Sequence, residues 1–63
     1  MPNSPYRPRI GEVVRDLGRK DPDGRPLEGI YLDTLGAAAY LRPERGGCEW
    51  STKPENIQPL DAA

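Results

Sequence analysis

The segment from Tyr40 to Trp50 holds the residues of this chain whose chemistry is most versatile. Its eleven residues, YLRPERGGCEW, include two of the four aromatic residues, the only cysteine and two arginines. A cysteine acts as a nucleophile when a neighbouring base removes its proton. Aromatic rings beside arginines can bind a peptide or stack on nucleotide bases. The segment therefore suggests either a nucleophile or an aromatic binding surface.

Cys48 lacks the surroundings that a catalytic thiol needs. The chain contains no histidine to act as its base, and the adjacent Glu49 is negative, which disfavours the thiolate. Acidic residues that could pair as acid and base sit at turn signals or on predicted solvent-facing positions: Asp21 with Asp23, and Glu44 with Glu49. We predict no catalytic residues and no enzymatic activity, and expect Cys48 to be a small residue in or beside the core.

The same composition predicts neither a metal nor a cofactor. One cysteine cannot close a disulfide within the chain, and the Cys/His spacings of zinc sites are absent. No phosphate-cradling glycine motif occurs. A chain of 63 residues buries only about 60% of the surface that its unfolded form exposes. A compact apolar core or self-association must therefore supply its stability.

The charge and hydropathy patterns limit which partners the chain can have and where in the cell it is expected. Nine basic and ten acidic residues give a net charge of −1, so the broad basic field of a general nucleic-acid binder is missing. No apolar run approaches the roughly 20 residues of a membrane span, and no signal peptide is visible. We expect a cytoplasmic protein without a membrane partner. Its excess of arginine over lysine is typical of a GC-rich bacterial genome.

The N-terminal segment, MPNSPYRPR, carries prolines at positions 2, 5 and 8. A spacing of three matches the repeat of a polyproline II helix. The stretch PNSPYR also fits the PxxPx[RK] pattern that eukaryotic SH3 domains bind, although so short a pattern is easily met by chance. The plainer interpretation, which we adopt, is a flexible proline-rich tail over residues 1–8, with a disordered C-terminus over residues 61–63.

The next segment, Arg9 to Leu17, fits two kinds of secondary structure. Ile10, Val13, Val14 and Leu17 lie at the i, i+3, i+4 and i+7 positions of an amphipathic helix. Three of these residues are β-branched, a glycine interrupts the segment, and proline and glycine flank it, which favours a strand. We predict a strand and keep the helix as the alternative.

The remaining segments predict four more short strands. A long loop covers residues 18–26, which contain Asp-Pro and Asp-Gly turn pairs. Strands then follow at LEGIYLD, AAAYLR, CEWST and IQPL, and Pro54 favours a 3-10 turn before the last one. In LEGIYLD, Ile30 and Leu32 should face one side while Gly29 and Tyr31 face the other.

This layout resembles the SH3-like barrels, of which KOW and Tudor modules are members. The likeness spans residues 11–60. More narrowly, GEVVRD, GIYLDTLGAAAYLRP and GGCEWSTKPENIQP are similar to short actinobacterial proteins with an Asp-Thr-Leu-Gly turn, Tyr-Leu-Arg-Pro and Glu-Trp. The resemblance implies an all-β, five-stranded SH3-like barrel over residues 9–60, with a long first loop and a 3-10 turn before the last strand. It brings no activity with it.

Binding is the function class that remains. Tyr31, Tyr40 and Trp50 fall on three consecutive predicted strands, so one face could hold all three, with Arg42 and Arg45 alongside. The competing interpretation places Trp50 and the tyrosines in the core. We predict a protein-interaction, adaptor-like module whose partner is another protein or a second copy. The alternatives are a KOW-like module that binds single-stranded RNA or DNA through Tyr40, Trp50 and Arg42, and an accessory structural subunit.

Overall fold

The computed structural model describes residues 6–60, which form one antiparallel sheet of five strands. The strands are β1 (Val13–Lys20), β2 (Pro26–Leu35), β3 (Ala38–Arg42), β4 (Trp50–Thr52) and β5 (Ile57–Pro59), with a 3-10 helix at Pro54–Asn56. Their order in the sheet is β4-β3-β2-β1-β5. This confirms the predicted all-β class, the five strands and the 3-10 turn. The sheet is open, so the predicted closure into a barrel is not observed. Within residues 6–60 there is no helix whose length and apolarity would suit a membrane crossing.

Strand β1 decides between the two structures that its sequence allowed. Val14 and Asp16 are buried while Val13 and Arg15 are half-buried, which is the two-residue period of a strand. The helix alternative is therefore wrong. The predicted strand began too early, because Ile10 is exposed and Gly11 adopts a positive φ of 91° in a turn.

The predicted loop over residues 18–26 is shorter than expected, since β1 continues to Lys20 and β2 begins at Pro26. A register shift between Asp16 and Lys20 accommodates Gly18, whose amide donates to Asp16 Oδ1 at 2.8 Å. Asp21 then closes the loop, because its Oδ1 accepts from the amides of Asp23 and Arg25, both at 2.9 Å.

The hairpin between β2 and β3 turns through Gly36 and Ala37. Gly36 has a φ of 61° and Ala37 has no positive φ, as in a type II′ turn. A register shift between Tyr31 and Asp33 inserts one extra residue into β2. This bulge brings Tyr31 and Thr34 to the same face, and their hydroxyl groups share a hydrogen bond. In a regular strand, residues three positions apart face opposite sides, so the pair could not form without the bulge.

The core occupies the concave face of the sheet. Its buried apolar residues come from four strands: Val14, Tyr31, Ala39, Leu41 and Ile57. Tyr6 and Trp50 pack against this cluster while remaining half-buried. As predicted, Gly29 and Tyr31 face the same side, and both are buried. Gly29 is required there, because a Cβ atom would lie 2.7 Å from Trp50 Cη2 and 2.8 Å from the carbonyl oxygen of Arg42.

We predict that Gly29→Ala destabilises the fold by about 1–3 kcal/mol, because the added methyl group meets both a ring and a backbone atom. Urea denaturation followed by tryptophan fluorescence measures the loss. Ser51→Ala, at an exposed position on β4, is the control and should stay within about 0.5 kcal/mol of the parent. Equal stability of the two variants would contradict the close packing of Trp50 over Gly29.

Candidate functional site

The structure does not place the three predicted aromatic binding residues on one face. Tyr31 is only 7% exposed and belongs to the core, and Trp50 packs against that core. Tyr40 lies between the buried Ala39 and Leu41 on β3, so its side chain points to the opposite, convex face. The aromatic face proposed from consecutive strands therefore does not form.

The two predicted arginines lie outside the core, on the chain that leads out of β3. Arg42 ends β3, is half-buried, and donates from Nη1 to the carbonyl oxygen of Pro43 at 3.3 Å. Arg45 is exposed in the turn that follows. Arg42 is directly opposite Ile30, so it shares the convex face with Ile30 and not the concave face on which Tyr31 is buried.

Trp50 is held by a buried carboxylate that the sequence analysis did not single out. Its Nε1 donates to Asp16 Oδ2 at 2.8 Å, and Asp16 is fully buried. Asp16 Oδ1 also accepts from Thr52 Oγ1 at 2.9 Å, in addition to the Gly18 amide. Thr52 in turn accepts from Asn56 Nδ2 at 3.3 Å, so the network reaches the 3-10 helix. The sequence did contain a signal for this site. Asp16 is two residues after Val14 on a predicted strand, so an acidic side chain should face the same side as a core valine.

Cys48 is exposed, so the expectation of a residue in or beside the core is wrong. Strand β4 begins at Trp50 rather than at Cys48, and Gly46 and Gly47 before it take positive φ values of 86° and 125°. This irregular backbone carries the thiol away from the sheet. Cys48 lines an open depression of about 550 Å³ whose other lining residues are Arg19, Tyr40, Glu49, Trp50 and Ser51.

A second cleft, of about 490 Å³, has an aromatic and proline lining. Residues 6–8 form one wall, β2 forms the floor, and the start of the 3-10 helix with β5 forms the other wall. The lining residues are Tyr6, Arg7, Pro8, Tyr31, Thr34, Pro54 and Ile57. We call this the tyrosine cleft. Of the residues predicted to bind, only Tyr31 belongs to it.

Hydrogen bonds hold both rings of the tyrosine cleft in place. The Tyr6 hydroxyl donates to Glu12 Oε2, and the backbone amide of Arg9 donates to Glu12 Oε1 at 2.9 Å. The Tyr31 hydroxyl is bonded to Thr34. The tail predicted over residues 1–8 lies in part outside the described residues, and of its described part Tyr6 packs against the core. A tyrosine six residues before a glutamate was too weak a signal for this wall to be predicted.

Electrostatics favours the charged form of Glu12. The hydroxyl group of Tyr6, then the Arg9 amide and finally the Arg9 charge lower the pKa of Glu12 below its ordinary value of 4.5, against a smaller opposing effect of burial. The carboxylate is therefore ionised at neutral pH and accepts both hydrogen bonds.

Comparison with known proteins finds no match for this chain among protein-family models, curated proteins or solved structures. Any functional conclusion therefore depends on the two clefts and on the surface of the sheet.

We predict that Asp16→Asn lowers the free energy of unfolding by about 2–4 kcal/mol, because an amide NH₂ would meet one of the donors that now bind the carboxylate. Urea denaturation gives the stability, and the indole N–H resonance of Trp50 should shift. Asp23→Asn changes the same chemistry at an exposed loop position and should stay within about 0.5 kcal/mol. An unchanged indole resonance in Asp16→Asn would contradict this network.

We predict that the Tyr6–Glu12 contact weakens on acidification. The folded state lowers the pKa of Glu12, so the stabilisation is complete above 4.5 and is lost as the pH falls through the lower folded value. Ring resonances of Tyr6, followed by NMR from neutral to acidic pH, measure the release. Glu12→Gln should shift these resonances at neutral pH and remove most of their pH dependence. A pH response that survives in this variant would assign the effect to another group.

Proposed function

We propose that this chain is a small protein-interaction module that binds an extended, proline-containing segment of a partner protein in the tyrosine cleft. The observation that carries the proposal is the cleft itself, in which two tyrosine rings and two prolines surround a volume of about 490 Å³. The proposal includes no catalytic role.

The lining chemistry supports a proline-containing ligand. Proline rings pack well on aromatic faces, and a polyproline II segment loses little conformational entropy when it binds. The tyrosine hydroxyls are already hydrogen-bonded to Glu12 and Thr34, so the rings need no ordering on binding. Arg7 at the same cleft would pair with an acidic residue of the ligand.

We further propose that the sheet is an open variant of the SH3-like arrangement. A consecutive meander from β1 to β4, the pairing of β5 with β1 and the 3-10 helix before β5 support this assignment. The curvature supports it as well. Strands β4 and β1 would lie about 14 Å apart in a flat sheet, yet side chains on these two strands are within hydrogen-bond distance.

The nucleic-acid alternative has weaker support. It needs Trp50 as a stacking ring, but the indole packs over Gly29 and its N–H is bound by Asp16. The depression beside Tyr40 also contains the carboxylate of Glu49, which would repel phosphate. A cytoplasmic location remains part of the proposal, and the exposed thiol of Cys48 is compatible with a reducing compartment.

We expect a proline-rich peptide with a terminal acidic residue to shift the amide resonances of Tyr6, Arg7, Thr34 and the neighbours of Pro54 in an NMR titration. Tyr6→Ala should weaken binding about five- to tenfold, as expected for the loss of one aromatic contact. Tyr40→Ala removes a ring from the opposite face and is the matched control, with unchanged affinity.

Two further titrations distinguish peptide binding from nucleic-acid binding and from a purely structural role. A peptide with alanine in place of each proline should not bind. Single-stranded RNA titrated at low and high salt should leave the spectrum unchanged. Salt-sensitive shifts at Tyr40 and Arg42 with RNA would overturn the proposal in favour of nucleic acid. Binding of neither ligand to the tyrosine cleft would leave an accessory structural role.

A further inference from the structure

We infer that the convex face of β1 and β2 is a self-association surface for a second copy of this chain. This face lies opposite the core side of the sheet, to which the tyrosine cleft belongs, so the inference goes beyond the proposed function. Its central residues form what we call the outer patch: Val13, Arg15, Leu17, Glu28, Ile30 and Leu60.

Strand register places four members of the outer patch side by side, and alternation along β1 places Leu17 on the same face as Arg15. Val13 is directly opposite Ile30, and Arg15 is directly opposite Glu28. Leu60 follows Pro59, which pairs with Val14, and its carbonyl oxygen accepts from Arg15 Nη2 at 3.3 Å. Side chains on one face of neighbouring antiparallel strands are in contact range at these positions.

Two of the four exposed large apolar side chains of residues 6–60 belong to the outer patch, and the other two, Ile10 and Leu35, lie in the turn before β1 and at the end of β2. Leu17 and Leu60 are 40% and 36% exposed, and Val13 and Ile30 are only half-buried although their neighbours Val14 and Gly29 are buried. Single exposed leucines are common on protein surfaces. Here Val13 and Leu17 lie on β1, one on each side of Arg15, while Ile30 on β2 and Leu60 after β5 flank them, so the apolar groups adjoin one another around a charged pair.

The charges favour a second copy as the occupant. Arg15 and Glu28 are 3.8 Å apart, with their side chains 30% and 45% exposed, so the centre of each patch presents one positive and one negative group side by side. Arg42, directly opposite Ile30, borders the patch on β3. A twofold axis parallel to β1 and β2, midway between them, would place Arg15 of each copy opposite Glu28 of the other. The same axis would place Val13 opposite Ile30. The patch is thus complementary to itself, as an isologous interface requires.

The curvature of the sheet predicts a weak complex. Two convex faces meet along β1 and β2 only, which limits the buried area to the range of transient complexes, below about 1,200 Å² in total. We therefore expect dissociation constants between micromolar and millimolar. Opposed charges that are only partly buried also predict that association weakens as the ionic strength rises.

Sedimentation velocity of the full chain from about 20 µM to about 1 mM tests the inference. The parent should move from monomer to dimer, with concentration-dependent amide shifts at Val13, Arg15, Glu28 and Ile30. Arg15→Glu leaves two carboxylates in each patch, and Glu28→Arg leaves two guanidinium groups. Each variant alone should associate at least about tenfold more weakly than the parent. An equimolar mixture should associate about as tightly as the parent, because each copy then faces its complement.

Arg45→Glu and Glu44→Arg are the matched controls. They make the same charge changes at adjacent exposed positions of the turn after β3, and each alone should dimerise like the parent. A parent that stays monomeric at the highest concentration would overturn the inference, as would a mixture of the two patch variants that remains monomeric. Circular dichroism checks that each variant is folded. The peptide titration of the tyrosine cleft should be unaffected by them, so the two proposals fail separately.

Discussion

The buried carboxylate of Asp16 is the interaction on which the rest of this structure depends. It accepts hydrogen bonds from the indole of Trp50, the hydroxyl of Thr52 and the amide of Gly18, and so joins β1 to β4 across the concave side of the sheet. A fully buried charge is costly unless it is hydrogen-bonded, and these donors meet that requirement. The bend that they maintain helps to enclose a small core, which contains five buried apolar residues in the part of the chain that the structure describes.

That bend also separates the two surfaces of the molecule. On the concave side, residues 6–8 lie on one side of β2 and the 3-10 helix lies on the other. The tyrosine cleft is the space between them. On the convex side, β1 and β2 present their outward residues as the outer patch. Because the cleft opens on the concave side of the sheet and the outer patch lies on the convex side, the ligand and the second copy that we propose would not compete for space.

Local sequence signals predicted the elements of the fold well and the sites poorly. Proline, glycine and β-branched residues indicated five strands and the 3-10 turn, all of which the structure contains. The predictions that Cys48 lies in or beside the core and that the first loop spans residues 18–26 were wrong, because both depend on where strand pairing begins and ends. The hydrogen bond between Asp16 and Trp50 could not be predicted from local signals, because 34 residues separate the two in the sequence. Similarly, Tyr6 was assigned to a tail although Glu12 binds its hydroxyl.

The sequence by itself determined the all-β class and the turns, because these depend on backbone preferences that each short segment carries within itself. It also showed that the chain has no histidine and only one cysteine, which is the basis of the prediction that it has no catalytic or metal site. Only the tertiary structure decided which residues face inward, because a single extra residue in β2 reverses the alternation after Tyr31. It likewise decided the sites, since Tyr6, Tyr31 and Pro54 come together only when the sheet bends.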